Sequence, residues 1–170
     1  ENIYQVCPGE TIKIPANKLE LIKNKYWSLE NGPDYNNFFK KEKKEEFVDN
    51  FNKLIKQHYI ADKNPVVALS SGIDSNIILK SLLNDQKNPN CVTIGFEDKS
   101  YDESILISNI DGRFNRNIYK ISEKDFIEKF SYISKLISEP NGDSSFLPTY
   151  ILYEKMKKYS NVSLGGDGGD

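Results

Sequence analysis

Two glycine-rich stretches carry residue types and spacings that could do chemistry. The first, Ser70-Ser71-Gly72-Ile73-Asp74-Ser75, follows a short apolar run and precedes a helical pattern. Small residues there let backbone N–H groups approach phosphate oxygens, and a helix N-terminus adds unsatisfied donors and a partial positive charge. Ser70 and Ser75 add hydroxyl donors, while Asp74 can hold the hard, oxygen-seeking Mg2+ that accompanies phosphates. The stretch has no Walker lysine, so a kinase-like grip on a γ-phosphate is not expected. Alone, the same six residues also suit an ordinary strand–turn–helix connection with a capping aspartate.

The second stretch, Leu164-Gly165-Gly166-Asp167-Gly168-Gly169-Asp170, places two carboxylates three residues apart in a flexible backbone. It could be a surface turn, or a calcium loop of the nonapeptide type. Such calcium loops come in several copies, and no internal repeat is visible here.

The elements around these stretches predict how they are held. Pro65 to Ser70 is a continuous apolar run, as expected of a strand covered on both faces. Residues 75–84 read as a helix, 91–96 as a second buried strand, 102–111 as a helix and 117–121 as a third strand. Ser122 and Asp125 form a capping-box pattern opening a helix to about Ile137. A loop runs on through Pro140 and Gly142, then a helix over 148–159 with proline in its first turn, and a last strand at 162–164. Such alternation implies α/β architecture: a mostly parallel sheet with helices on both faces and right-handed crossovers. Ligands in such sheets bind at the carboxyl ends of the strands, where both glycine-rich stretches fall.

Upstream, Phe47, Val48, Phe51, Leu54, Ile55 and Tyr59 recur at three and four, which predicts an amphipathic helix over 44–60. His58, the single histidine, reads as a partly exposed helix residue, since no second ligand accompanies it. Residues 31–43 read as a solvated linker, and 3–6 with 11–14 as two short strands turning at Pro8-Gly9.

Composition sets the outer limits. The 170 residues carry a formal charge of −2, which argues against a large basic nucleic-acid surface. Lysine far outnumbers arginine, which reads as coding bias. No apolar run reaches the roughly 20 residues needed to cross a bilayer. Cys7 and Cys91 lack metal-ligand spacing, so a cytoplasmic protein without disulfides is expected. The chain begins at Glu1 without methionine and stops inside a glycine run, and it is expected to be a fragment of something longer.

The ordered set LSSGIDS, TIGFEDKSYDES, EPNGDSSFLPTYIL and VSLGGDGGD resembles the synthetase domain of glutamine-hydrolysing asparagine synthetases. That family shows an SGGxDS loop, a tyrosine–aspartate–glutamate helix start, an acidic–proline loop and an SG(D/E)G(A/S)DE loop. The resemblance runs from about Val66 to Asp170. It extends loosely to CPGETIKIP and Tyr26-Trp27, which look like the tail of the glutaminase domain and its exit. Residues 1–43 are then expected to be that tail and linker, and 44–170 the N-terminal part of an ATP pyrophosphatase domain of the PP-loop, adenine nucleotide alpha hydrolase-like type.

The resemblance implies cleavage of ATP between its α- and β-phosphates, an acyl-adenylate on the substrate carboxylate, and attack by ammonia from a glutaminase domain on the same chain. Ser70, Ser71, Gly72, Ile73, Asp74 and Ser75 would cradle pyrophosphate. Leu69, Ile94 and Gly166 match the adenosine side, with Gly165 beside them. Asp74 and Asp170 match the Mg2+ aspartates, and Asp167 an acidic position beside the acyl intermediate. Neutralising charge at the attacked α-phosphate is the main device such a site needs. Glu139 and Asp143 fall in a loop that faces substrate in the family. Asp102 reads as a helix cap, and Cys91 as a buried strand residue. Cys7 is not the glutaminase nucleophile, which must be the mature N-terminal residue.

Departures from the pattern are specific. Ser71 replaces the usual second glycine, acceptable if its φ stays negative. Gly165 stands for serine, and Gly169 for alanine or serine. The glutamate after Asp170 and the downstream α-phosphate lysine are not in the sequence, so residues 1–170 alone are expected not to make amide. Aspartate is the acceptor expected from family frequency. Relatives with the same chemistry amidate sugar carboxylates, close β-lactam rings or cyclise peptides. A tRNA-modifying pyrophosphatase would bring catalytic cysteines and a basic RNA surface, and intact Asp74 and Asp170 argue against a degenerate binding module. Homodimer formation by the full-length protein stays open.

Overall fold

A computed structural model describes residues 3–18, 20–28, 41–100, 102–138 and 142–168. Residues 1–47 and 48–170 form two compact units. In the first, β1 (Glu10–Lys13) pairs antiparallel with β2 (Ile22–Lys25), with Glu10 opposite Lys25. The expected strand at 3–6 does not form; that segment is exposed coil. Gly9 explains the change of partner. Its φ is +72°, its carbonyl accepts the Tyr26 N–H at 2.8 Å, and a Cβ there would lie 2.3 Å from the Trp27 carbonyl oxygen. The backbone therefore closes onto residues 26–27 rather than back onto 3–6.

The second unit is an α/β sheet of four parallel strands in the order β5-β4-β3-β6, comprising β3 (Val66–Ala68), β4 (Asn90–Phe96), β5 (Asn115–Ile121) and β6 (Ser163–Leu164). α1 (Lys41–His58), which begins in the first unit, leads into the sheet, and α2 (Ile73–Asn84), α3 (Ser104–Ser108), α4 (Glu123–Ile133) and α5 (Phe146–Met156) connect its strands. β3 reads as an unbroken apolar run because both its faces are covered. Val67 and Leu69 pack with Cys91, with Ile78, Leu79 and Leu82 of α2, with Ile107 of α3, and with Ile55 and Tyr59. Val66 and Val92 face the other way, onto Met156 of α5, while Ile121 packs with Ile133 and Ile151. Each such side chain taken fully from water contributes about 1.5–3 kcal/mol.

Several boundaries shift from the sequence expectation. The apolar stripe of α1 is used in part: Ile55 and Tyr59 are buried, whereas Phe47, Val48 and Leu54 stay about half exposed. His58 is exposed. The helix expected over 102–111 is the five-residue α3, because the Asp102 carboxylate accepts the Ser104 N–H and holds the chain in a turn before it. α4 opens on the capping box, with both the Ser122 and Asp125 bonds made. It ends four residues earlier than expected, where Lys135 and Leu136 donate to carbonyls three residues back. α5 starts at Phe146 rather than Pro148, which leaves Pro148 in the first turn, where its missing N–H forfeits no helical bond. Among the described residues no helix is long and apolar enough to cross a membrane.

Burial pushes the Cys91 thiol up to about 12, whereas Cys7 is exposed. The thiolate is the reactive form, so at about pH 8 a soluble disulfide reagent is expected to modify Cys7 promptly and Cys91 only after denaturation. Prompt release of two thiol equivalents from the native protein would contradict this packing.

Candidate active site

The site begins where β3 ends. The Leu69 N–H donates to the Val92 carbonyl at 3.0 Å, and the Leu69 carbonyl accepts the Thr93 hydroxyl at 2.6 Å. These two bonds fasten the strand end to β4. The chain then turns through Ser70–Gly72 into α2, and the buried Ser75 hydroxyl organises that turn. Ser75 Oγ accepts the Ser70 N–H at 3.1 Å and lies 3.0 Å from Ser70 Oγ. It also lies 3.1 and 3.2 Å from the carbonyl oxygens of Ser70 and Gly72. A hydroxyl has one hydrogen, so it serves these acceptors one at a time. Asn76 Nδ2, with two hydrogens, reaches both carbonyls at 2.9 and 2.7 Å. Loop carbonyls are thereby turned inward and occupied. Gly72 is the N-cap of α2 and supplies no side-chain cap, so the first-turn amides carry no side-chain acceptor there.

Ser71 sits in this loop without a positive φ; among the described non-glycine residues only Gln86 has one. Serine in place of glycine therefore strains nothing. Its hydroxyl donates instead to the Glu103 carboxylate just before α3.

The second glycine-rich stretch reaches the same place through β6, which lies beside β3 with Val66 opposite Ser163 and Val67 opposite Leu164. Beyond it, the backbone at Gly166 presses on the first turn of α2. A Cβ there would lie 2.8 Å from the Asp74 Cβ and 3.0 Å from the Ser75 nitrogen. Only glycine fits. Gly165 is looser, its nearest neighbour being an Asp167 oxygen at 3.6 Å.

Between the loops lies a cavity of about 460 Å3. Of the residues expected from sequence, Leu69, Ser70, Ser71, Gly72, Asp74, Ser75, Ile94, Gly165, Gly166 and Asp167 line it. Ile73 is placed differently: it opens α2 with its side chain 75% exposed and off the cavity wall, so its contribution to a phosphate is confined to its backbone. Asp170, the second metal aspartate expected, lies outside the described residues, as does Glu139. Asp143 is described but does not line the cavity. Its carboxylate accepts the Ser145 hydroxyl and N–H at 2.7 and 2.8 Å, bonds that hold it below the usual carboxylate range.

Sequence reasoning missed a second set of walls. Thr93, Phe96, Glu103, Ile107, Pro148, Thr149, Leu152 and Tyr153 also line the cavity. Thr93, a polar residue inside an apolar strand, was one legible signal. Thr149 and Tyr153, spaced i and i+4 on the helix expected over 148–159, were another.

Among the described residues no lysine, arginine or histidine lines the cavity, whereas Asp74, Glu103 and Asp167 do. A polyphosphate entering it therefore needs a cation brought in with it. Among the same residues no group of three or more His, Cys, Asp or Glu forms a complete metal site. Mg2+ asks for less, since it commonly takes one or two carboxylates plus phosphate oxygens and water. The donor set fits that ion.

Residues 46–170 match the asparagine synthase family. The whole chain aligns at 31% identity with a putative glutamine-hydrolyzing asparagine synthetase 2 of Methanocaldococcus jannaschii, covering 33% of that protein. Over 104 residues, 60% of the chain, it is 27% identical to glutamine-hydrolyzing asparagine synthetase 1 of Bacillus subtilis, of which it covers 16%. The chain thus spans about a third or less of the length of these relatives.

The contact at Gly166 gives a direct test of the geometry. Gly166→Ala is expected to force the second loop off α2, speeding amide hydrogen exchange at Asp74 and Ser75 while leaving β4 and β5 protected. Unchanged exchange at residues 74–75 would show that the approach is not tight.

Proposed function

Because the chain belongs to the asparagine synthase family, we propose that it carries the ATP-cleaving part of a glutamine-hydrolysing, asparagine-forming ligase. The observation that carries this reading is the meeting of the two glycine-rich loops around one cavity at the carboxyl ends of β3 and β6. In this reading residues 1–43 are the tail and linker of a glutaminase domain, and 44–170 the N-terminal part of the synthetase domain. Ammonia comes from that glutaminase domain on the same polypeptide, in a cytoplasmic enzyme.

An oxygen of the substrate carboxylate, aspartate first among candidates, attacks the α-phosphorus. The new O–P bond forms as the bond to the bridging oxygen breaks, giving an acyl-adenylate and pyrophosphate. Ammonia then adds to the acyl carbon and loses a proton, and AMP departs with the carboxylate oxygen. Ser70, Gly72 and the first-turn amides of α2 hold the leaving pyrophosphate, with its negative charge drawn to a helix N-terminus. Ile94 and Leu69 give the adenosine side an apolar wall, while the Gly166 backbone lies against Asp74 and Ser75. Asp167 stands beside the acyl group. Asp74 and Asp170 would hold Mg2+, which when bound supplies positive charge at the phosphates. Because the loop carbonyls are already bonded to Ser75 and Asn76, the amide face is set before the nucleotide arrives, and such preorganisation is where electrostatic catalysis gains most.

With ATP, Mg2+, aspartate and glutamine or ammonium, the full-length protein is expected to yield AMP and pyrophosphate. ADP and phosphate as main products would overturn the reading. Asp74→Asn is expected to lower turnover by about 10²–10³-fold, the scale for removing one preorganised electrostatic contact. Activity close to wild type in that variant would remove Asp74 from the mechanism.

A further inference from the structure

Asp102 lies outside the cavity, yet its side chain is 1% exposed. Its Oδ1 accepts the Ser104 N–H at 3.1 Å, and its Oδ2 lies 2.9 Å from Lys120 Nζ on β5. Gly95, near the end of β4, lies directly against it: a Cβ at that position would come within 2.6 Å of Oδ1. The end of β4, the end of β5 and the start of α3 are thus joined through one carboxylate. Bonds from Ser104 and then Lys120 hold that carboxyl well below its usual range, so it stays charged.

A simple helix cap needs neither burial nor a lysine partner. α3 has five residues, too few to hold itself in place without tertiary contacts. The next residue along the chain is Glu103, whose carboxylate reaches the cavity and accepts the Ser71 hydroxyl. Ser71 belongs to the phosphate-side loop and stands where the family resemblance places glycine, so this fastening uses a hydroxyl that the usual glycine would lack.

We propose that Asp102 is a positioning residue for the nucleotide site, acting through Glu103, which latches Ser71 and so sets the shape of the 70–75 loop. The inference rests on the reading of that loop as the phosphate site for ATP. Lys120 anchors Asp102, Asp102 anchors the start of α3, and Glu103 carries that fixed position to the loop. No bond forms or breaks in this device. It acts by limiting the conformations of Ser71 and Gly72 before nucleotide binds.

The test is a mutant cycle in the full-length protein, reading Mg2+–ATP affinity by calorimetry, thermal stability, and amide exchange over residues 70–75. Asp102→Ala and Ser71→Gly are each expected to weaken ATP binding by about 2- to 150-fold, the range for coupled contacts in one network. Both should speed exchange in the loop, and the double variant should bind no more weakly than the worse single one. Ser71→Thr, which keeps the hydroxyl, should lose less than Ser71→Gly. Lys120→Met weakens the same anchor from a half-exposed position and should show the same pattern in a variant whose fold is spared. A stability loss in Asp102→Ala or Lys120→Met with ATP affinity at the wild-type value would overturn the inference. So would losses that multiply in the double variant. Wild-type protein that binds no ATP would instead overturn the proposed function, and this inference with it.

Discussion

Gly166 has no room for a side chain, and the site depends on that fact. Its backbone lies against Asp74 and Ser75, within the distance at which a Cβ would collide. Two loops separated by some ninety residues can meet this closely because β6 and β3 are neighbours in one parallel sheet. Parallel neighbours require crossover connections, and the helices in those crossovers cover the sheet faces. The same arrangement that buries Val66 and Val67 therefore sets both loops at one end of the sheet. Packing and site geometry are one constraint here.

Within the first loop, polar groups are arranged with little slack. Ser75 and Asn76 take up the Ser70 and Gly72 carbonyls, and Thr93 takes that of Leu69. An unpaired carbonyl in this half-buried turn would cost on the order of 1–3 kcal/mol. Satisfying the carbonyls internally fixes the peptide planes, and with them the direction of the neighbouring amides. The described walls of the cavity carry Asp74, Glu103 and Asp167 and no cationic side chain, so a bare polyanion would meet like charge there.

Much of the second unit was legible because its local signals agree with its tertiary role. β3 and β4 are apolar with little interruption, and the Ser122–Asp125 pair marks the start of α4 to the residue. The two glycine-rich loops were legible as a pair through the ordered motifs that carry the family resemblance, since each stretch alone also reads as an ordinary turn. What sequence did not reveal came from contacts between distant segments. Gly9 selects Ile22–Lys25 as the partner of β1 by its approach to Trp27, and no local pattern records that. The α1 stripe predicted more burial than it receives, since periodicity reports which face is apolar and not how much of it is covered. Leu152 reads as an ordinary helix residue until α5 is laid over the ends of β3 and β4. Ile73 shows the opposite case. It lies inside the motif, yet helix geometry turns its side chain out to water and leaves only its backbone at the loop.

The seam between β3 and β6 has a consequence for how the two loops are held. β3 joins β4 through residues 67 and 91, but joins β6 through residues 66 and 163. That span is roughly four times longer, and at about 0.6 kcal/mol for each doubling its closure costs about 1.2 kcal/mol more. β6 returns little against that cost, being two residues long at the sheet edge. Among the described strands β6 is the shortest, and it pairs with β3 alone. Gly166 and Asp167 are therefore tied to the sheet through that short pairing, while the Ser70–Ser75 turn is held by its own bonds and by its fastening to β4. The two halves of the cavity wall hang on the sheet by unequal means.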